Sequence, residues 1–280
     1  MSFAALLETL NSVIWSPALV FLCLAVGVYF TLTTLFLQVR CLPDMMRQIV
    51  SNKKSGSGVS SFESLMISLA GRVGVGNIAG VATAIAFGGP GAVFWMWAVA
   101  LLGSATSFIE CTLAQIYKEK DRDTGEYRGG PAYYIEKAYK HTRAGKFMLV
   151  YAVVFAVAMM LATSYFLPGI QANGVAAAMH NAWGTDVRIS AVVLGVLLAV
   201  IIMGGVRRIA NFASLVVPLM AVVYILASIV IMFVNFDRID DVFALIFRSA
   251  FDQEAMFSGM LGAAIMWGVK RGIYSNEAGQ

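Results

Sequence analysis

Charged residues are scarce in this chain of 280 residues. Asp, Glu, Lys and Arg together make up 13% of it, whereas 59% is hydrophobic and the mean hydropathy is +0.77. An average soluble domain is about 25% charged and about 45–50% apolar. The composition therefore excludes a soluble fold, and the apolar runs are long enough to cross a lipid bilayer as helices.

Cysteine and histidine are also rare. Cys23, Cys41 and Cys111 show no CxxC spacing, and His141 and His180 are isolated. Unpaired cysteine usually behaves as a small apolar residue, so neither a zinc site nor a disulfide framework is expected. A nucleophile–base or metal constellation is likewise missing from the sequence, which argues against an enzyme, and no cofactor is predicted.

Seven apolar runs predict membrane spans. They cover 15–37, 62–87, 91–117, 147–179, 187–206 and 209–235, with a last one starting near 256. The first run lacks the basic flank and the cleavage site of a signal peptide, so it is expected to be a retained helix. The predicted fold class is an all-α integral membrane protein, a polytopic helical bundle.

Lys and Arg concentrate in segments that alternate along the chain. These segments lie at 40–54, 118–146 and 207–208, after the first, third and fifth spans. All three therefore fall on one side, which the positive-inside rule makes cytoplasmic, and the N-terminus lies outside. Because cytoplasmic loops account for the net charge of +4, no nucleic-acid partner is predicted. Amphipathic patterning predicts two further helices, one at the interface within 121–146 and one outside the membrane within 237–257.

The centre of the second span is rich in glycine and contains an arginine. Residues 70–80 read AGRVGVGNIAG. A glycine costs a helix interior about 1 kcal/mol relative to alanine, and an intramembrane arginine costs at least about 2.5 kcal/mol. Close helix packing is one explanation. The favoured one is a helix that unwinds inside the membrane, where its freed N–H and C=O groups bind substrate and ions.

A related segment, GVKRGIYSNEAGQ, occupies residues 268–280. Asn, Ala and Gly follow Arg271 at the same offsets at which they follow Arg72. Paired glycine-interrupted spans are typical of transporters built from inverted repeats. The predicted domains are an accessory helix and loop (1–60), a first five-helix repeat (61–236), and an external helix with the start of an incomplete second repeat (237–280).

The fourth span contains the string FLPGIQAN. Pro168 and Gly169 are expected to kink the helix and free a carbonyl group. The amide of Gln171 then projects either into a polar cavity or against a neighbouring helix, and the sequence leaves both alternatives open.

Four strings together identify a resemblance. GRVGVGNIAGVATAIAFG, GGPGAVFWMW, EYRGGPAYYIEKA and SNEAGQ closely resemble the alanine/glycine:cation (sodium) symporter family over nearly the whole chain. This resemblance implies the inverted-repeat architecture of the leucine transporter, with sodium-coupled symport of a small neutral amino acid, alanine or glycine. It also implies a bacterial or archaeal inner membrane location, with sodium as the coupling ion and the lipid bilayer as surroundings.

The resemblance also implies a site. Backbone N–H groups around Val75 and Gly76 would hold the substrate carboxylate, and carbonyls near the start of the unwound segment would hold sodium. The expected substrate-binding residues are Gly74, Val75, Gly76, Asn77, Phe166, Gln171, Ser275, Asn276 and Ala278. The candidate sodium ligands are Ala70, Val73 and Asn77.

The sequence departs from the family pattern in length. Family members are longer, and Gln280 lies inside a motif that normally continues, so the chain is expected to be a truncated part. Two alternatives are carried forward. One is a proton-coupled amino-acid transporter of the same fold, for which Glu277 is the obvious titratable group. The other is a membrane fragment that does not transport.

Overall fold

Helices dominate the computed structural model, which describes residues 3–51, 59–123, 125, 127–251 and 260–277. The α-helices are α1 Phe3–Ile14, α2 Pro17–Thr33, α3 Leu37–Arg40, α4 Leu42–Ser51, α5 Ser61–Arg72, α6 Val75–Gly88, α7 Gly91–Tyr117, α8 Pro131–Tyr139, α9 Gly145–Leu161, α10 Leu167–Trp183, α11 Val187–Ile202, α12 Gly205–Val234, α13 Ile239–Phe251 and α14 Met260–Asn276. A π-helical turn, Ala162–Phe166, joins α9 to α10, and a 3-10 turn, Phe236–Arg238, precedes α13. Strands β1 Glu119–Lys120 and β2 Tyr127–Arg128 pair in an antiparallel hairpin.

Among the residues that the structure describes, five helical stretches are long and apolar enough to cross a membrane. They are Asn11–Thr33, Ser61–Gly88, Gly91–Tyr117, Gly145–Trp183 and Gly205–Val234, and Val187–Ile202 is a shorter apolar helix. In the most apolar 18-residue segment of each stretch, only 6% to 22% of the residues are buried inside the protein. Such apolar surface is stable next to lipid and not next to water, so the predicted fold class of a multi-pass, all-α membrane protein is confirmed.

Three elements were not predicted from the sequence. Helix α1 precedes the first span, α4 occupies part of the expected loop after it, and the β1–β2 hairpin lies before the expected interfacial helix. All three are short, and their amphipathic or exposed residues do not form an apolar run. Helices are present at both other expected positions, as α8 and α13, whereas their placement at the interface and outside the membrane stays a prediction. Residues 252–259 lie outside the described part of the chain.

The chain forms two compact units that alternate along the sequence. Unit 1 comprises residues 1–43, 76–109 and 225–279, and unit 2 comprises 44–75, 110–224 and 280. In unit 1, α2, α7 and α14 meet through Val20, Val99 and Val269. In unit 2, α5 and α12 meet through Met66, Ala213 and Val217. The predicted division at residues 60 and 236 stays a prediction.

Glycines in unit 1 allow helices to approach closely. A Cβ atom on Gly268 would lie 2.6 Å from the Ala92 carbonyl oxygen, and one on Gly272 would lie 3.1 Å from Cβ of Val99. Both contacts join α14 to α7. These glycines therefore serve helix packing, which corrects the expectation that the segment beginning at Gly268 is unwound.

Candidate substrate site at the helix interruption

The interruption predicted in the second span is confirmed. Helix α5 ends at Arg72 and α6 begins at Val75. Between them Val73 is extended, with φ −98° and ψ 103°, while its N–H still donates to the Leu69 carbonyl at 2.8 Å. The two residues Val73 and Gly74 therefore lie outside both helices although the apolar run continues on either side.

Helix ends of opposite polarity follow each other at this interruption. The last four carbonyls of a helix and its first four N–H groups have no partner within the helix. For α5 these carbonyls include that of Ala70, and for α6 the N–H groups include those of Gly76 and Asn77. The helix dipoles add partial negative charge at the end of α5 and partial positive charge at the start of α6. A cation is favoured at the first and a carboxylate at the second.

Gln171 contacts the interruption directly within unit 2. Its side-chain oxygen accepts a hydrogen bond from the Val75 N–H at 3.0 Å. Gly74 allows this approach, because a Cβ there would lie 2.8 Å from both terminal atoms of the Gln171 amide. Gly174, one helical turn further along α10, brings its backbone against Val75, where a Cβ would lie 2.5 Å from a methyl carbon. Of the alternatives left open, the structure shows the amide bonded to the neighbouring helix.

A π-helical turn, Ala162–Phe166, lies just before Pro168. The Leu167 N–H donates to the Ala162 carbonyl, five residues earlier. The Thr163 hydroxyl also donates to the Met159 carbonyl at 2.7 Å. A proline within a helix removes one N–H and crowds the carbonyl four residues before it. The wider turn relieves this crowding, and the expected kink at Pro168 and Gly169 stays a prediction.

Phe166, at the end of this turn, is not buried against the interruption. Its side chain is 60% exposed, and its ring meets that of Tyr165 edge to face at 5.3 Å. Gln171 and Gly74 are thus brought together as expected, and Phe166 is not brought to them.

Two further residues that were expected to bind substrate, Gly76 and Asn276, lie in unit 1. Gly76 is buried under the ring of Tyr274, where a Cβ would be 2.8 Å from two ring carbons. Asn276 donates from its side-chain nitrogen to the Val99 carbonyl at 3.3 Å. Asn276 also lines a mostly apolar cavity of about 210 Å³, whose other polar lining residues are Cys23 and Thr106. Since a water molecule takes up about 30 Å³, this volume has room for several.

The described residues show no interruption where the second one is expected. Helix α14 is continuous through Ser275 and Asn276, which occupy its last turn. Glu277 then adopts a left-handed conformation, with φ 49°, and its N–H donates to the Ile273 carbonyl at 3.0 Å. Ala278 lies outside the described residues, so its expected role stays a prediction.

Sequence reasoning missed Gly174 and Tyr274. Gly174 follows Gln171 by one turn and therefore shares its helix face, a signal that was available once Gln171 had been singled out. Tyr274 carries no such signal, because an aromatic residue in an apolar helix is usually part of the packing. Its contact with Gly76 joins residues far apart in the chain.

The chain has apolar helices long enough to span a membrane, and one of them is interrupted inside its apolar run. This combination is typical of secondary transporters. The sodium:alanine symporter family matches the chain over residues 1–280. The chain belongs to this family, a family of transporters, and the resemblance inferred from the motifs is confirmed.

Individual relatives are similar over most of the chain. The carrier protein YrbD of Bacillus subtilis (strain 168) is 52% identical over 277 residues. The sodium/alanine symporter AgcS of Methanococcus maripaludis is 42% identical over 282 residues, and the sodium/proton-dependent alanine carrier protein of Bacillus sp. (strain PS3) is 44% identical over 237 residues. The matches cover 99%, 100% and 84% of this chain, and 55%, 61% and 51% of the three relatives. The chain thus spans little more than half the length of these relatives.

Proposed function

We propose that this protein takes part in sodium-coupled symport of small neutral amino acids, alanine or glycine, by alternating access. Membership of the sodium:alanine symporter family supports sodium as the coupling ion and alanine as substrate. The similarity to a sodium/alanine symporter points in the same direction. Glycine as a second substrate rests on the motif resemblance alone.

One structural observation carries the proposal, namely the helix interruption at Val73 and Gly74 inside an apolar run. It supplies peptide groups that have no partner within their own helix, at a depth where lipid offers no hydrogen bonds. A zwitterionic amino acid has one charge for each of the two helix ends. Because the dipoles are fixed, they stabilise the ligand without reorganising on binding.

The proposed roles follow this polarity. The N–H groups of Gly76 and Asn77 hold the substrate carboxylate, with the Val75 N–H joining them when Gln171 releases it. The carbonyls of Ala70 and Val73 and the side-chain oxygen of Asn77 hold sodium, since a hard cation prefers oxygen ligands. Ser275, Asn276 and Ala278 contribute from the second helix end, and Phe166 closes on the substrate during transport.

Uptake into proteoliposomes tests the proposal. The purified protein is reconstituted and the uptake of radiolabelled alanine is measured with sodium outside, with choline in its place, and with empty vesicles as the control. We expect uptake that needs sodium and that unlabelled glycine reduces. Undiminished uptake in choline contradicts sodium coupling. If no uptake occurs, alanine binding by calorimetry with and without sodium decides whether the chain is a non-transporting fragment.

Proton coupling is the second candidate. Glu277 ends α14 in a left-handed conformation and follows Asn276 directly, so a titratable carboxyl lies beside an expected site residue. The relative from Bacillus sp. (strain PS3) is named sodium/proton-dependent. A protonophore that abolishes uptake at a constant sodium gradient favours this candidate, as does a Glu277→Gln variant whose uptake no longer changes with pH.

We also infer the wider arrangement from the charge pattern and the family. The protein lies in a bacterial or archaeal inner membrane with its N-terminus outside. Residues 1–60 form an accessory helix and a cytoplasmic loop, 61–236 form the first five-helix repeat, and 237–280 begin the second. Spans 2 and 7 then enter the membrane from opposite sides, as an inverted repeat requires.

A further inference from the structure

Unit 1 also contains a polar cavity, and two cationic side chains line it. It has a volume of about 230 Å³ and lies where the junction of α1 and α2 meets α14. Its lining residues are Asn11, Trp15, Trp267, Lys270, Arg271 and Tyr274. None of these six carries a carboxylate, so the cavity wall bears a net positive charge.

The two cations have no anionic partner in the described part of the chain. The ion pairs found there join other residues, Arg128 with Asp121 and Lys137 with Glu119. The Nε atom of Arg271 is buried without a hydrogen-bond acceptor among the described residues. A cation inside a membrane protein costs at least about 2.5 kcal/mol unless it is paired. Two adjacent cations on one helix of a membrane protein, with the Nε atom of Arg271 buried, therefore call for a counter-anion.

Aromatic rings stabilise the cations only in part. The Nζ atom of Lys270 lies 5.9 Å from the ring centre of Trp15 and 5.8 Å from that of Trp267. The Cζ atom of Arg271 lies 5.6 Å from the Trp267 ring. These distances are near the limit of cation–π attraction, about 6 Å. An aromatic ring carries no net charge, so it does not neutralise the positive charge of either side chain.

A further donor completes the cavity. The Tyr274 hydroxyl is buried and has no hydrogen-bond partner among the described residues. A guanidinium group binds oxyanions through parallel N–H donors, an ammonium group binds them as a point charge, and a hydroxyl donates once more. Basic pockets between membrane helices, bordered by tryptophan and tyrosine, are typical binding sites of lipid phosphate groups.

We propose that this cavity binds a phosphate oxyanion, held by Lys270, Arg271 and the Tyr274 hydroxyl. The anion belongs either to the headgroup of an anionic phospholipid or to free phosphate. None of the residues assigned to substrate or sodium lines the cavity, although Tyr274 also packs against Gly76 of the proposed amino-acid site.

Tryptophan fluorescence of the purified protein in detergent tests the proposal, because Trp15 and Trp267 line the cavity and the chain has five tryptophans in all. One series is titrated with short-chain phosphatidylglycerol and another with inorganic phosphate. The double variant Lys270→Gln/Arg271→Gln removes the cations. The matched control Arg143→Gln/Lys146→Gln removes the same charge from exposed positions.

We expect saturable binding in the unchanged protein and in the control, and affinity at least about tenfold weaker in the double variant. Saturation by phosphatidylglycerol alone assigns the anion to a lipid, whereas saturation by phosphate with the same dependence on the variants assigns it to the free ion. The absence of a saturable change for both ligands overturns the proposal, and so does equal affinity of the double variant and the control.

A milder substitution covers the case in which the double variant does not fold. Tyr274→Phe removes a single hydroxyl group, and we expect it to weaken binding about threefold to tenfold. Unchanged affinity of this variant, when the double variant aggregates, also overturns the proposal.

Discussion

Gly74 illustrates how a missing side chain controls a contact. The nearest atoms to a Cβ at this position belong to the flexible end of Gln171. A methyl group there can be accommodated if the Gln171 amide moves away, at the cost of its bond to the Val75 N–H. The substitution is therefore expected to change the geometry of the site and to remove one stabilising hydrogen bond.

Gly74→Ala should weaken alanine binding at least about tenfold, equal to about 1.4 kcal/mol, and should lower the melting temperature because the Val75 N–H loses its acceptor. Calorimetry and a melting curve in detergent measure the two effects. Gly195→Ala is the control, because no atom lies within 4 Å of its added Cβ and alanine is the better helix former. Equal binding by both variants would contradict the assigned role of Gly74.

Gln171 should tolerate a substitution that keeps its acceptor. Gln171→Glu retains an oxygen for the Val75 N–H, and its negative charge lies near the positive end of α6. Gln171→Ala leaves that N–H without its acceptor, a loss of about 1–3 kcal/mol if the group stays buried. We expect the alanine variant to lower the melting temperature and the glutamate variant to retain it. The opposite order would show that the hydrogen bond does not stabilise the interruption.

At the scale of elements, one lysine attaches α8 to the end of α7. The Nζ atom of Lys137 donates to the Tyr117 carbonyl at 2.6 Å, pairs with Glu119 at 2.8 Å and lies 5.3 Å from the Tyr133 ring centre. This hydrogen bond and the positive charge of Lys137 lower the pKa of Glu119 below its ordinary value. These polar contacts thus join α8 to the end of α7, in addition to the packing of α8 against α9.

Lys137→Met should loosen α8, because the hydrogen bond and the ion pair are both lost. Hydrogen exchange in residues 131–139 is expected to rise about tenfold, whereas Lys140→Met, at an exposed position, should leave it unchanged. Lowering the pH should also raise hydrogen exchange in residues 131–139. The lowered pKa means that the ion pair stabilises the fold above the ordinary carboxyl pKa and is lost as the pH falls through the lowered value. If neither Lys137→Met nor acid changed the hydrogen exchange, the role of Lys137 in holding α8 would be contradicted.

The π-helical turn shows a second element whose form depends on its neighbours. In α10, which follows this turn, Gln171 and Gly174 share the face that contacts Val75. Pro168 indicates that the helix is disturbed. It does not specify whether the disturbance is a kink, a break or a wider turn, because each of them relieves the same steric conflict.

At the scale of the whole molecule, the distribution of charge predicts orientation. In a variant without its three native cysteines, single cysteines are placed at Thr142 and at Asp237, both of which are exposed. A membrane-impermeant maleimide added to intact cells should label the cysteine at 237 and not the one at 142, which should react only after the membrane is opened. The reverse pattern would place the basic loops outside and contradict the inferred topology.

Composition and local pattern by themselves determined the membrane class, most of the spans, the interruption near residues 70–80 and the family. These features depend on hydrophobic length and on glycine and proline chemistry, which are local properties of the chain. Tertiary structure alone decided that Gln171 bonds to Val75, that Tyr274 covers Gly76, and that Gly268 and Gly272 serve packing and not unwinding. The physical reason is that a glycine permits both a break and a close approach, and only the atoms opposite it select between them.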